Sequence, residues 1–300
     1  MNYVDTKSKS FFTAGKTPRL KGKIAAAQCL EIKVGAEPKP GCKLTKLLGR
    51  GAFGEVWEAI YENGSKVAMK FIRSSKSNPD VAANEVRQFM IFKQMSHPHV
   101  LTLIDVICIA DMIVLVMELA NGTLHDLHQF YISEQKTHVS LGTLIHLMEQ
   151  AAYGLDFLAS LKLPNTQLSR VGFQHCDVKP SNLLLVGKTV KVADFGLAGR
   201  LGLQTGEFIG TPFFAPPELY SGQPSKHTDQ FSLAVTYCHL RSGKYPYRDS
   251  TGKPPEGYPN LDRYSSKEKE VLSRALSLQW IDRYSSCTEF IQQLRVATGK

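Results

Sequence analysis

What this chain has little of narrows it first. Its six cysteines, at positions 29, 42, 108, 176, 238 and 287, form no CxxC pair and no short spacing. That argues against a zinc module or a disulfide framework and points to a reducing, cytoplasmic setting. Long apolar runs are missing too. The longest, Val106 to Ala120, is broken by Asp111 and falls short of the roughly 20 residues that a membrane span needs. Residues 24 to 32 lack the uninterrupted apolar core of a signal peptide, so neither an anchor nor export is expected. No internal repeat is visible.

What remains is ordinary globular composition, 43% hydrophobic and 21% charged over 300 residues, enough for one large or two ordinary domains. The net charge of +9 raises nucleic acid as a partner, but residues 1 to 42 carry eight Lys or Arg against three acids, so +5 of it lies there. The remainder is mildly basic, as suits a protein that handles phosphates, and nucleic acid is not expected as its partner.

The same segment, rich in Lys, Ser, Gly and Pro, reads as a basic tail that docking could partly order. From Leu44 to Glu118 short strand-like runs alternate with turns around one strong helix. From Leu124 onward helical patterns dominate, apart from two short strands near 183 to 192. The expectation is an α+β, two-lobed fold: tail 1–42, sheet-rich lobe 43–118, hinge 119–122, helical lobe 123–296 and a short tail 297–300.

The densest chemistry lies in His175-Cys176-Asp177-Val178-Lys179-Pro180-Ser181-Asn182, followed closely by Asp194-Phe195-Gly196. Phosphoryl transfer asks for positioning and charge neutralisation: an Asp to orient a hydroxyl, a Lys for phosphate and two oxygen ligands for Mg²⁺. Asp177, Lys179, Asn182 and Asp194 supply that set.

Gly49-Arg50-Gly51-Ala52-Phe53-Gly54-Glu55-Val56 matches GxGxxGxV, a spacing shared with dinucleotide-binding folds. A dinucleotide site would continue as a helix. Here Val56 to Tyr61 is rich in β-formers and closes on Asn63-Gly64 before a second strand, Val67 to Ile72, so the glycine loop joins two strands and can fold over phosphates. On that second strand Lys70 shares a face with Ala68 and Ile72. It is either an edge lysine reaching water or a desolvated ammonium in need of an anion. Glu85, inside the apolar stripe Val81, Phe89, Phe92 of a helix capped by Asn78, is the proposed partner that holds Lys70 against nucleotide phosphates.

Taken in order, the Gly-rich loop, Val67-Ala68-Met69-Lys70, Glu85, His175-Cys176-Asp177, Asn182, Asp194-Phe195-Gly196, Gly210-Thr211-Pro212, Pro216-Pro217-Glu218, Asp229 and Arg283 resemble the protein kinase superfamily across roughly residues 44 to 296. The style of the catalytic segment is similar to bacterial serine/threonine kinases of eukaryotic type. The resemblance implies ATP and Mg²⁺ as cofactors and a protein with a Ser/Thr hydroxyl as acceptor. It implies Asp177 as the base, Lys179 on the γ-phosphate, and Asn182 and Asp194 as metal ligands. It places adenine between Val56 and Ala68 above and Leu184 below, with Met117 behind and the backbone of Glu118 to Ala120 as its partner. It further implies a Glu218 to Arg283 ion pair, Asp229 as a brace for the catalytic loop, and a stacked column of Leu103, Phe89, Phe195 and His175. Lys179 together with Thr211 suggests serine/threonine rather than tyrosine acceptors. Two rivals, a silent kinase-like scaffold and a small-molecule phosphotransferase, would lack, respectively, part of the catalytic set and the combined glycine loop and 210–218 segment; both features are present.

Cys176 departs from the family pattern by standing where an arginine normally pairs with a phosphate on the activation loop. With Thr205 the sole hydroxyl between Leu197 and Gly210, activity is expected not to require loop phosphorylation. Cys176 itself reads as a small buried substitute, with a redox-sensitive thiol as the alternative. Tyr131 to Ser140 and Lys162 to Gly172 read as enlarged surface connections. His125 and His128, three apart, read as a solvated helix face rather than a metal pair.

Overall fold

The computed structural model describes residues 31–51, 54–73, 86, 89–90, 92–109, 112–161, 173–194, 208, 210–247 and 253–300. Five antiparallel strands open the fold: β1 (Cys42–Gly51), β2 (Gly54–Tyr61), β3 (Lys66–Arg73), β4 (Leu103–Ile109) and β5 (Met112–Glu118), in the order β1-β2-β3-β5-β4. The Asn63-Gly64 turn between β2 and β3 is the one the sequence marks: Gly64 has φ 82° and the Asn63 carboxamide accepts from the Ser65 amide. Alternation along β3 sends Val67, Met69 and Phe71 into a core with Leu44, Trp57, Val114 and Val116. Lys70 and Ile72 are thereby turned to the opposite face, toward the helical lobe.

Residues 32–41 fold back on this sheet, the Gly35 amide donating to the Leu44 carbonyl and the Leu44 amide to the Ala36 carbonyl, while Ile32 and Ala36 pack against its core. Residues 1–30 lie outside the described residues, as do Asn78 and Glu85. Of the helix expected there, Val86, Phe89, Met90, Phe92 and Lys93 are helical.

A small second sheet, β6 (Gly122–Thr123), β7 (Leu183–Val186) and β8 (Thr189–Val192), sits at the lobe junction. The helical lobe comprises α1 (Leu124–Ser133), α2 (Leu141–Ser160), the single turn α3 (Pro217–Tyr220), α4 (Thr228–Ser242), α5 (Ser266–Ala275) and α6 (Cys287–Thr298). Caps fix most of these ends. Thr123 and Asp126 form a capping box on α1, Ser140, Ser265 and Ser286 cap α2, α5 and α6, and Gly243 (φ 68°) ends α4. The Asp156 carboxylate on α2 takes the Cys287 and Thr288 amides at 2.9 and 2.8 Å, pinning α6 to α2. Helix α4 is buried along nearly its whole length, Thr228 to Cys238, and so forms the axis on which the catalytic segment rests.

One expectation is corrected. His128 is not on a solvated face; it is 4% exposed, with its ring 5.1 Å from that of His239 on α4 and 6.1 Å from that of His138. It lies four residues after Leu124, one turn along the buried stripe of α1.

Candidate active site

The catalytic segment is suspended from α4. Asp229, 3% exposed, accepts the backbone amides of His175 and Cys176 at 2.7 and 2.8 Å, so one carboxylate fixes two successive peptide groups. Burial pushes the Asp229 carboxyl up, against the pull of His175 and the two amides. From that anchor the backbone turns through Cys176 in the left-handed region (φ 63°). The His175 ring bridges Ala193 O at 2.7 Å and the Asp177 amide at 3.2 Å, a packing and bracing position as the sequence implied.

This turn delivers the Asp177 carboxylate to a meeting point of three donors. Lys179 Nζ donates to Oδ2 at 2.8 Å, Asn182 Nδ2 to the same oxygen at 3.0 Å, and Thr211 Oγ1 to Oδ1 at 2.6 Å. Lys179 also donates to Thr211 Oγ1 at 2.7 Å, closing a ring of Asp, Lys and Thr. Thr211 reaches across from a segment 34 residues away. Sequence reading used it as a mark of substrate class and missed its direct bond to Asp177; only the backbone contact beside it could have shown this. There Gly210 (φ 104°) passes so near that a Cβ would sit 2.6 Å from the Cys176 carbonyl oxygen.

The acceptor-side segment is held from below by a buried ion pair. Arg283 donates from Nη1 and Nη2 to the two Glu218 oxygens at 2.7 and 3.0 Å, while Ser225 and Thr228 hydroxyls complete the carboxylate. The guanidinium also meets Ser277 and His227 carbonyls and lies 4.9 Å from the Phe231 ring.

On the opposite wall, Lys70 projects from β3 with only 8% exposure and pairs with the Asp194 carboxylate. Its expected partner Glu85 lies outside the described residues. Asp194 also stands in the left-handed region, φ 67°, after Ala193, whose amide is held by the Asn182 carbonyl. Behind Lys70 and Asp194 is a cavity of about 30 Å³ lined by Phe89, Phe92, Leu103 and Met117. Phe195 lies outside the described residues, so the stacked column is described in part.

Gly49, Gly51 and Gly54 close the glycine loop above. A Cβ on Gly49 or Gly51 would meet open space, whereas one on Gly54 (φ 125°) would strike the Phe71 carbonyl of β3, so Gly54 is required by the close approach of β2 to β3. Val56 pairs with Lys70 across β2 and β3, and Ala68 with Met117 across β3 and β5, which brings the expected upper wall and rear wall together. Leu184, the expected lower wall, lies on β7 and pairs with Thr123 of β6. The hinge is tied at Glu118: its carboxylate takes Lys191 Nζ at 2.6 Å and the Thr102 amide at 2.7 Å. Burial pushes that carboxyl up, but these two bonds outweigh it and hold it below the ordinary carboxylate value. Among the described residues the Ala120 amide and carbonyl take no protein partner, which leaves a donor and an acceptor for the edge of a base.

The donor set fits magnesium. Among the described residues no cluster of three His, Cys, Asp or Glu is placed to cage a metal. Asn182 spends its NH₂ group on Asp177, which leaves the amide oxygen for a cation, and Asp194, with a side chain 38% exposed, already attracts an ammonium. One carboxylate and one amide oxygen, completed by water and phosphate, is how Mg²⁺ is held.

Cys176 is 1% exposed and burial, with Asp229, Glu218 and Asp177 nearby, pushes its thiol well above the usual range. A thiol so held stays protonated, so of the two readings of Cys176 the structure favours the small buried substitute.

Comparison with known proteins places this geometry. The family model for the protein kinase domain matches residues 42–296. The cytokinesis protein sepH of Emericella nidulans is 29% identical over 289 residues, covering 93% of this chain and 19% of that protein. The SNF1-like protein kinase ssp2 of Schizosaccharomyces pombe is 32% identical over 227 residues, covering 73% of this chain and 35% of that one. The chain thus spans about a fifth to a third of the length of these relatives. Among solved structures, the Mycobacterium tuberculosis PknI kinase domain superposes with a TM-score of 0.65 at 24% identity, over 87% of this chain and 96% of that domain, a likeness of fold.

Proposed function

The chain belongs to the protein kinase domain family, and from that premise we propose that it is an ATP- and Mg²⁺-dependent serine/threonine protein kinase acting through the residues described above. The observation that carries the reading is the closed ring of Asp177, Lys179 and Thr211, with Asn182 on the same carboxylate. In it, Asp177 orients an acceptor hydroxyl and accepts its proton, while Lys179, an arm's length away, neutralises the transferred phosphoryl group. Thr211 fixes both. Lys70 holds the remaining phosphates from the roof, beneath Gly49, Gly51 and Gly54, and Glu85 is assigned to keep it there. Val56, Ala68, Met117 and Leu184 enclose adenine, whose polar edge meets the backbone of Glu118 to Ala120. Asn182 and Asp194 would hold Mg²⁺, which supplies charge neutralisation on the phosphate oxygens. The working unit is the sheet-rich lobe 43–118, hinge 119–122 and helical lobe 123–296, in a cytoplasmic setting.

Activity independent of loop phosphorylation is part of the proposal, since Cys176 leaves no cation where an arginine would await a phosphate. Two measurements test it. Mass spectrometry after incubation with ATP and a generic basic protein should find phosphoserine or phosphothreonine with Mg²⁺ present and none after chelation; phosphotyrosine alone would overturn the assignment. Thr205→Ala should keep most of the wild-type turnover, and its near-complete loss would refute independence.

A further inference from the structure

Away from the cleft, a cluster of rings lies between α1, α4 and the segment that precedes α3. His128 on α1 and His239 on α4 face each other at 5.1 Å, and the Nδ1 atom of each is buried without a hydrogen-bond partner among the described residues. His138 covers His128 from the α1–α2 connection. On its other side His239 stacks on Tyr245 at 4.6 Å and 14° and meets the edge of Phe214 at 6.2 Å. Tyr245 in turn stacks on Phe213 at 4.7 Å, and Phe213 is 44% exposed two residues after Thr211. A column of aromatic rings therefore runs from a buried histidine pair to the surface beside the catalytic ring.

We propose that His128 and His239 form a proton-operated support for the acceptor-binding segment: the neutral rings hold Tyr245 and Phe214 in place, and protonation parts them and loosens residues 210–217. The proposal rests on the reading of that segment as the acceptor side of a protein kinase. The electrostatics oppose protonation of the closed pair. His125 from the same helix acts on both rings and His138 from the connection acts on His128, each opposing a charge there. Tyr245 faces it as a phenol that burial pushes further up. Asp126, Glu134, Lys136, Arg241 and Lys244 lie on the same elements, yet neither ring bonds to any of them. A charge on either buried ring, with no carboxylate bonded to it among the described residues, favours separation of the pair or entry of water. Burial, then the neighbouring histidines, holds His128 below its ordinary value and His239 down to about 4. The sign follows: a depressed histidine favours the closed column above its ordinary pKa, and the support is lost as pH falls from that value toward about 4. At about pH 5, after allowance for the partial exposure of His239, opening gains about tenfold.

Hydrogen exchange on the full chain tests this, with rates corrected for intrinsic pH dependence and compared at about pH 7.5 and about pH 5. Peptides covering 210–220 should lose about tenfold protection in acid in the wild type and keep it in His239→Phe, a ring that cannot titrate. In parallel, the KM for a basic protein acceptor should rise severalfold in acid while the KM for ATP stays level, and the variant should flatten the rise. Acid-insensitive protection in the wild type, or an unchanged acid response in the variant, would overturn the proposal. Should His239→Phe fold poorly, His128→Phe serves for the same reading. If the chain transferred no phosphate at all, exchange alone would still decide, so failure of the kinase assignment is read separately.

Discussion

On the helical-lobe side of the cleft, Asp177 is 8% exposed and its carboxylate meets three side-chain donors, while the backbone before it hangs from the buried Asp229. On the sheet side, Lys70 pairs with Asp194, whose side chain is 38% exposed. The difference teaches which half is built in advance. Asp177, Lys179, Asn182 and Thr211 are locked to one another inside a core, whereas the Lys70 to Asp194 pair has one member open to water, where the proposed nucleotide and metal would compete for both charges.

Mutations break this comparison in order of severity. Asp177→Asn keeps the shape but removes the proton acceptor; single-turnover assays should show kcat reduced about 10³-fold with nucleotide affinity retained, and near wild-type turnover would sink the assignment. Stability should separate the two sides in the opposite sense. Glu218→Ala strands a guanidinium that is 3% exposed, so urea unfolding should show a loss of about 3–5 kcal/mol. Lys70→Met should stop transfer yet cost about 1 kcal/mol or less, because the carboxylate it abandons is open to water. A large destabilisation in Lys70→Met would mean that the sheet side is as firmly locked as the other. The smallest effect is expected at the hinge: Lys191→Ala frees Glu118 and should raise the KM for ATP about twofold to threefold without changing kcat.

Local rules carried much of this from the sequence. Period-two alternation placed Lys70 on the cleft face of its strand, and the Asn63-Gly64 turn and the short β7–β8 pair followed from residue type alone. The spacing of Asp177, Lys179 and Asn182 needed only a tight turn to bring them together. What was hidden depends on distant segments meeting: the Thr211 bond to Asp177, the engagement of Lys70 by Asp194, and the Asp156 cap on α6. His128 lies between these cases. Its place one turn after Leu124 marks it as inward-facing, but polarity argued for water, and the partner that makes burial tolerable comes from α4.

Gly210 carries a consequence for how the domain can vary. Its contact with the Cys176 carbonyl is backbone against backbone, so even a single methyl at position 210 would wedge the two strands of chain apart and drag Thr211 off the Asp177 oxygen. The distance between Asp177 and the 210–217 segment is therefore gauged by the absence of an atom.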